Sequence, residues 1–292
     1  MFSQRILTLS LAAGLFGLAA TAPRAAHAQA LPTPFQLVSG LDLECYRTPG
    51  PALDREVGLT QLNPVLVALG LPPHKVIVRE LAQTCVPVRK NASQPAAAAL
   101  PFVSQMDLAC YRVDAAPLAN PIQLELTHLN PVLANEPKHK VTLVRPAQLC
   151  VPIAKNGILP PPPVLALAQF FDVECYQVDA DPHPPFVLGL TQLNPQLLQI
   201  PPHPMNLVSS PRQLCVPVRK NNQPIPAGIL ARISRIDLEK FAADPSVFIA
   251  PVDVEISHLN PLFADEPSVH VKLIEANALM VPVAKNGAIP GD

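Results

Sequence analysis

Six cysteines carry the most definite chemistry in this chain of 292 residues, and their spacing says which chemistry it is. Cys45, Cys110 and Cys175 recur at one constant interval, and Cys85, Cys150 and Cys215 repeat the same interval. Each early cysteine stands equally far before its late one. Where a fourth pair would fall stand Lys240 and Met280. Two thiols that are present together and lost together are most simply two halves of one bond. The expectation is three disulfides, Cys45–Cys85, Cys110–Cys150 and Cys175–Cys215, with no thiol left as nucleophile or metal ligand.

Histidine is the next candidate. His128 and His139 in the second unit, and His258 and His270 in the fourth, could ligate a transition metal if strands bring the rings together. Neither the spacing from His128 to His139 nor that from His258 to His270 belongs to a motif that fixes such a geometry. The more ordinary role is a polar residue at a strand end, so no metal or cofactor is expected. Four acids and four bases also recur: Asp42, Asp107, Asp172 and Asp237, with Lys90, Lys155, Lys220 and Lys285. A structural Asp–Lys contact explains them better than four identical catalytic sites in one chain. Tyr46, Tyr111 and Tyr176 could form a binding stripe, though such residues more often cover a sheet or fill a contact between units.

Motifs of common enzymes are missing. There is no Gly-x-Ser-x-Gly elbow, no His-Glu-x-x-His helix, no phosphate loop and no dinucleotide fingerprint. The expectation is a non-enzyme.

The N-terminus reads as an export leader spanning residues 1–28. Arg5 is followed by the apolar run Ile6 to Ala22 and by Ala26-His27-Ala28, a small-x-small cleavage signal. Export places the thiols in an oxidising compartment, secreted or periplasmic, where disulfides persist. Without Arg5 and Arg24 the mature chain keeps 19 basic against 22 acidic residues, a net charge of −3. Such a balance gives no footprint for nucleic acid. No later apolar run reaches the ~20 residues of a membrane-spanning helix.

Positioning these residues falls to four tandem units of about 65 residues, at 35–98, 99–163, 164–228 and 229–292. Each opens with Asp-apolar-x-Cys-Tyr or its variant Asp237-Leu238-Glu239-Lys240-Phe241. Each has Leu-Asn-Pro in the middle, at 62–64, 129–131, 193–195 and 259–261, and closes on the pattern Cys-Val-Pro-Val-Arg-Lys-Asn. Ile122, Leu124 and Leu126 alternate with polar residues, the period of a half-buried strand, and Asn-Pro stops it. The 38 prolines oppose long helices. About four strands per unit, some sixteen in all, are expected, giving an all-β fold. Units one and three share Leu-Thr-Gln-Leu-Asn-Pro, whereas two and four share His-Leu-Asn-Pro and Ala-Lys-Asn-Gly. This A-B-A-B order implies two pseudo-symmetric sandwich or barrel domains, 29–160 and 161–292, joined at Pro160-Pro161-Pro162-Pro163. Four independent beads are the rival arrangement.

Cys110-Tyr111-Arg112-Val113 with Leu149 to Asn156, and Cys175-Tyr176-Gln177-Val178 with Leu214 to Asn221, resemble an uncharacterised repeat in secreted proteins of environmental, myxobacterial-type bacteria. The resemblance covers essentially the whole mature chain and implies an exported, disulfide-bonded β-repeat protein with no assigned activity. The functional expectation is a structural, adhesive or interaction role at the cell surface, with a glycan or protein as partner. The alternative is a module binding a glycan or small ligand in clefts between paired repeats. Such a module would show two equivalent clefts walled by His128 and His258 or by the tyrosines. An enzyme would show one asymmetric site built from residues that break the repeat.

Overall fold

The computed structural model describes residues 30–244 and 250–291, so the expected leader at 1–28 lies outside the described residues. The order short helix, strand, second strand, closing strand recurs along the chain; a helical turn precedes the closing strand in all but the third stretch, and the last closing strand is divided. Unit one comprises α1 (Pro34–Ser39), β1 (Asp42–Arg47), β2 (Ala52–Gln61), α2 (Pro64–Ala68) and β3 (His74–Lys90). Unit two has α3 (Leu100–Val103), β4 (Leu108–Asp114), β5 (Ile122–His128), a 3-10 turn at Pro131–Leu133 and β6 (His139–Lys155). Unit three has α4 (Pro162–Ala168), β7 (Val173–Ala180), β8 (Phe186–Gln192) and β9 (His203–Lys220). Unit four has α5 (Ala227–Ile233), β10 (Leu238–Ala243), β11 (Val252–His258), a 3-10 turn at Pro261–Phe263, β12 (Val269–Leu273) and β13 (Ala276–Lys285). The protein is thus mostly antiparallel sheet with few helices, which agrees with the all-β expectation.

Leu-Asn-Pro explains itself locally. Its proline starts the turn after the strand, where a missing N–H costs nothing. Its asparagine caps that turn: Asn63, Asn130, Asn194 and Asn260 each accept, through Oδ1, from the backbone N–H two residues on, at 2.9 Å.

Among the described residues the strands number thirteen rather than sixteen, because the β-branched run and the closing run of units one to three form one long strand. Within β3 that strand absorbs two register shifts, around Leu81, instead of breaking. Only unit four divides, at Ile274 and Glu275.

Eight strands pair in a closed circuit, β1-β3-β4-β6-β7-β9-β10-β13 and back to β1. The expected division at residues 160 and 161 is absent from it. β6 and β7, one on either side, pair over eight residue positions in the same sheet. Pro162 begins α4 rather than serving as a stiff link.

The remaining strands show why like units alternate. β2 adds to the end of β9 and β8 to the end of β3, so units one and three exchange strands. β5 adds to the end of β13 and β11 to the end of β6, so units two and four do the same. Each A unit therefore grips the other A, and each B the other B. The asparagine after each closing lysine makes the clamp. Asn91, Asn156, Asn221 and Asn286 adopt positive φ of 43 to 51°, which asparagine tolerates. Their side chains accept from the backbone N–H of Gly189, Glu255, Gly58 and Glu125 in the like unit at 2.7–3.0 Å. The proline of Cys-Val-Pro has no N–H to give, but its carbonyl accepts from the like unit: Leu193 bonds Pro87 at 2.9 Å and Leu62 bonds Pro217 at 3.0 Å.

Side-chain alternation gives the circuit two apolar faces. The three disulfides lie on one, directly across their strand pairs, with the sulfurs of Cys85 and Cys110 3.6 Å apart. Leu37, Phe102, Leu167 and Ile233, from α1, α3, α4 and α5, complete this core. Tyr46, Val86, Tyr111, Val151 and Phe241 lie on the other face, beneath Leu59, Leu190 and Ile256 of the added strands.

Candidate functional site

The recurring charges meet inside the fold. Lys90 bonds Asp42 at 2.6 Å and Lys220 bonds Asp172 at 2.5 Å, while Lys155 pairs with Asp107 and Lys285 with Asp237. The lysine side chains are buried and each Asp is nearly so. Burial pushes the aspartates up and the lysines down, and each partner's charge opposes that shift. A third member joins every pair. Asn130 donates to Asp42 at 2.7 Å, Asn194 to Asp107 at 2.7 Å, Asn260 to Asp172 at 2.8 Å and Asn63 to Asp237 at 2.7 Å. The asparagine of each unit thus bonds the aspartate of the unit before it, around the whole circuit.

Two residues after each of these aspartates comes a position that the sequence reading passed over. It is Glu44, Glu174 and Glu239 in units one, three and four, and Ala109 in unit two. All three glutamates are fully buried. A buried carboxylate is costly unless each oxygen finds a donor. Glu44 is fully supplied. Oε2 accepts from Tyr46 at 2.8 Å and from Gln192 of the like unit at 2.7 Å, and Oε1 faces His203 Nε2 at 2.7 Å. Glu174 has the same set: Tyr176 at 2.6 Å, Gln61 at 3.2 Å and His74 at 2.7 Å. Burial opposes protonation of His203, but the bond and charge of Glu44 raise its pKa. The Glu174 bond likewise raises that of His74, against partial burial. Their other ring nitrogens face the Pro201 and Pro72 carbonyls at 2.9 and 3.3 Å.

At Glu239 the pattern breaks in several ways at once. Phe241 replaces the tyrosine and His128 the glutamine, so Oε2 loses both donors and has no hydrogen-bond partner among the described residues. Nε2 of His128 lies 3.9 Å from it, beyond hydrogen-bond reach. Burial holds the His128 pKa down to about 4, against the attraction of Glu239. Oε1 faces His139 Nε2 at 3.0 Å and accepts from Arg212 at 3.0 Å, where other units have Ala82, Ala147 and Asn277. An unpartnered buried acceptor of this kind costs about 1–3 kcal/mol. Over the group opens a cleft of about 270 Å³, lined by Asp181, His183, Phe186, Arg212 and Phe241 among others.

The fourth position has no acid. Beside Ala109, Tyr111 Oη lies 2.9 Å from His258 Nε2, and burial lowers the His258 pKa to about 4. His270 is exposed. Of the four histidines weighed from sequence, His128 and His139 therefore come together, with their rings 5.7 Å apart, and His258 and His270 join no ligand cluster among the described residues. The surroundings of His128 and His258 are therefore not equivalent, and the three tyrosines are buried.

Lys240, at the missing cysteine, lies directly opposite Met280. Its buried ammonium donates to Gln148 Oε1 at 2.6 Å and to Gln83 Oε1, tying β10 to β6 and β3 where a disulfide would have stood. Burial lowers its pKa to about 7.

Comparison of the chain with family models, curated proteins and solved structures finds no match.

Proposed function

We propose that this is an exported, non-enzymatic β-repeat protein, its four units copies of one ancestor closed into a single barrel, acting in adhesion or interaction at the cell surface. The observation that carries this reading is the fate of the recurring residues. Asp, Lys and Asn of every unit, and the cysteines of the first three, are consumed in buried bonds, so what recurs is scaffold. A repeated catalytic site would need those groups open to substrate. Three disulfides suit an oxidising compartment, and no helix among the described residues is long and apolar enough to cross a membrane. The leader-like N-terminus supplies the export route.

The test is co-sedimentation of the labelled, disulfide-bonded protein with intact bacterial cells, before and after their surface polysaccharide is stripped. Retention supports the reading. Free protein in both arms, or turnover of peptide, ester or glycoside substrates by the pure protein, refutes it.

A second reading rests on the single cleft over Phe241. Aromatic walls at Phe186 and Phe241 beside the polar groups of Asp181 and Arg212 suit a sugar-sized ligand. Loss of retention on a glycan array with Phe186→Ala, at unchanged stability, supports that alternative; a blank array for the wild type removes it.

A further inference from the structure

We propose that His128, His139 and Glu239 bind one divalent first-row transition-metal ion of the zinc class at the floor of this cleft. The proposal goes beyond the adhesive and glycan readings and does not depend on either.

The protein contains its own controls. At Glu44 and Glu174 a tyrosine, a glutamine and a histidine supply the carboxylate completely. At Glu239 the two donors to Oε2 are replaced by a phenylalanine, which gives nothing, and an imidazole, which can offer a lone pair. A buried carboxylate oxygen thus faces a ring nitrogen with a gap of 3.9 Å between them. With its proton on Nδ1, the His128 ring turns the Nε2 lone pair toward that oxygen, and a cation between the two satisfies both.

Distances fit such an ion. Nε2 of His139 is 3.0 Å from Oε1, Nε2 of His128 is 3.9 Å from Oε2, and all three ligand groups offer atoms within 4.8 Å of one another. Ligands at about 2.1 Å from a tetrahedral ion stand about 3.4 Å apart; the ligand atoms lie within 4.8 Å of one another, so closing the site takes up to about 1.4 Å for the widest pair, shared among three side chains. Two imidazoles and one carboxylate favour zinc, cobalt or nickel over calcium and magnesium, which seek all-oxygen shells. The fourth position opens into the cleft. Arg212 stays on Oε1 and orients the carboxylate from outside, and its charge weakens the site without filling it. The fourth histidine position cannot compete, because Ala109 provides no acid there and His270 is exposed.

The experiment rebuilds this site in the image of its neighbours. The exported, disulfide-bonded protein is stripped with chelator and titrated with zinc alone by calorimetry, with cobalt absorption as a second readout of ligand geometry. Wild type is expected to take up one ion per chain with a tetrahedral cobalt spectrum. His128→Gln/Phe241→Tyr restores the donors present at Glu44 and Glu174, so it keeps a folded core and is expected to lose that ion. His203→Ala, in a complete site, is expected to leave the stoichiometry at one. No binding by wild type, or equal binding by the double variant, overturns the assignment.

Discussion

Asn63 donates to Asp237 at 2.7 Å and so fastens the first unit to the last. The same side chain caps α2 through Oδ1, at 2.9 Å from Val65 N. One residue therefore closes the circuit and starts a helix. Asn63→Ala strips a donor from a buried carboxylate and removes the cap. The two losses together are expected to cost about 2–4 kcal/mol in urea unfolding of the oxidised protein. An unchanged midpoint would mean that the circuit does not depend on this bond.

Lys240 and Met280 face each other in the register that Cys45 and Cys85 occupy in unit one. Lys240→Cys/Met280→Cys is therefore expected to form a fourth disulfide without moving the strands. A loop of 40 residues is worth up to about 4 kcal/mol in chain entropy, less what the lysine–glutamine ties contribute, for a gain of roughly 2 kcal/mol. Peptide mass spectrometry would read the bond. Two free thiols in the oxidised variant would show that β10 and β13 do not hold this register.

The buried pairs should be far more sensitive than surface ones. Lys90→Met leaves Asp42 in the interior with only Asn130 as donor, and is expected to cost about 3–5 kcal/mol. By contrast Lys75→Met, which breaks the exposed pair with Glu56 at 2.8 Å, is expected to leave stability nearly unchanged. Equal effects in denaturant titrations would contradict the structural role given to the recurring lysines.

Much of the scaffold was legible in the sequence because its signals are periodic. Joint loss of both cysteines at positions 240 and 280 led to the disulfides, and alternation around Leu124 led to the strands. The A-B-A-B order was legible too, but its meaning was not. Sequence adjacency suggested that each A packs with its neighbouring B, and β3 with β4 and β9 with β10 do pair; the like units meet as well, through β2, β5, β8 and β11. That decision is made by the ends of β3, β6, β9 and β13, whose free edges accept a strand from across the circuit. The candidate site stayed hidden for the same reason. Glu239 and His128 stand in different units with the whole of unit three between them, and only the pairing of unit two with unit four brings them together. The changes to Phe241, His128 and Arg212 were visible one by one; without that pairing nothing linked them.

The histidines divide into two groups whose effects on stability run in opposite directions with pH. His258 is buried beside Tyr111, Phe263 and the charge of Lys220, and its folded pKa is about 4 against 6.5 unfolded. Between these values the unfolded chain binds the proton and the fold does not, so stability drains as pH falls from 6.5 toward 4. From pH 7 to pH 5 the loss is about 2 kcal/mol. His203 is the reverse case. Its ring faces the Glu44 carboxylate and the Pro201 carbonyl, so its folded pKa lies above the unfolded one. Its contribution is complete below pH 6.5 and fades as pH rises through the folded value. Unfolding free energies measured from pH 5 to pH 9 should therefore lose part of their acid slope in His258→Gln, which places at 258 the glutamine that stands at 61 and 192, the rest coming from His128, whose pKa burial also lowers to about 4. They should lose part of their alkaline slope in His203→Gln. Parallel pH curves for wild type and His258→Gln would mean that this imidazole takes up its proton as readily in the fold as in water.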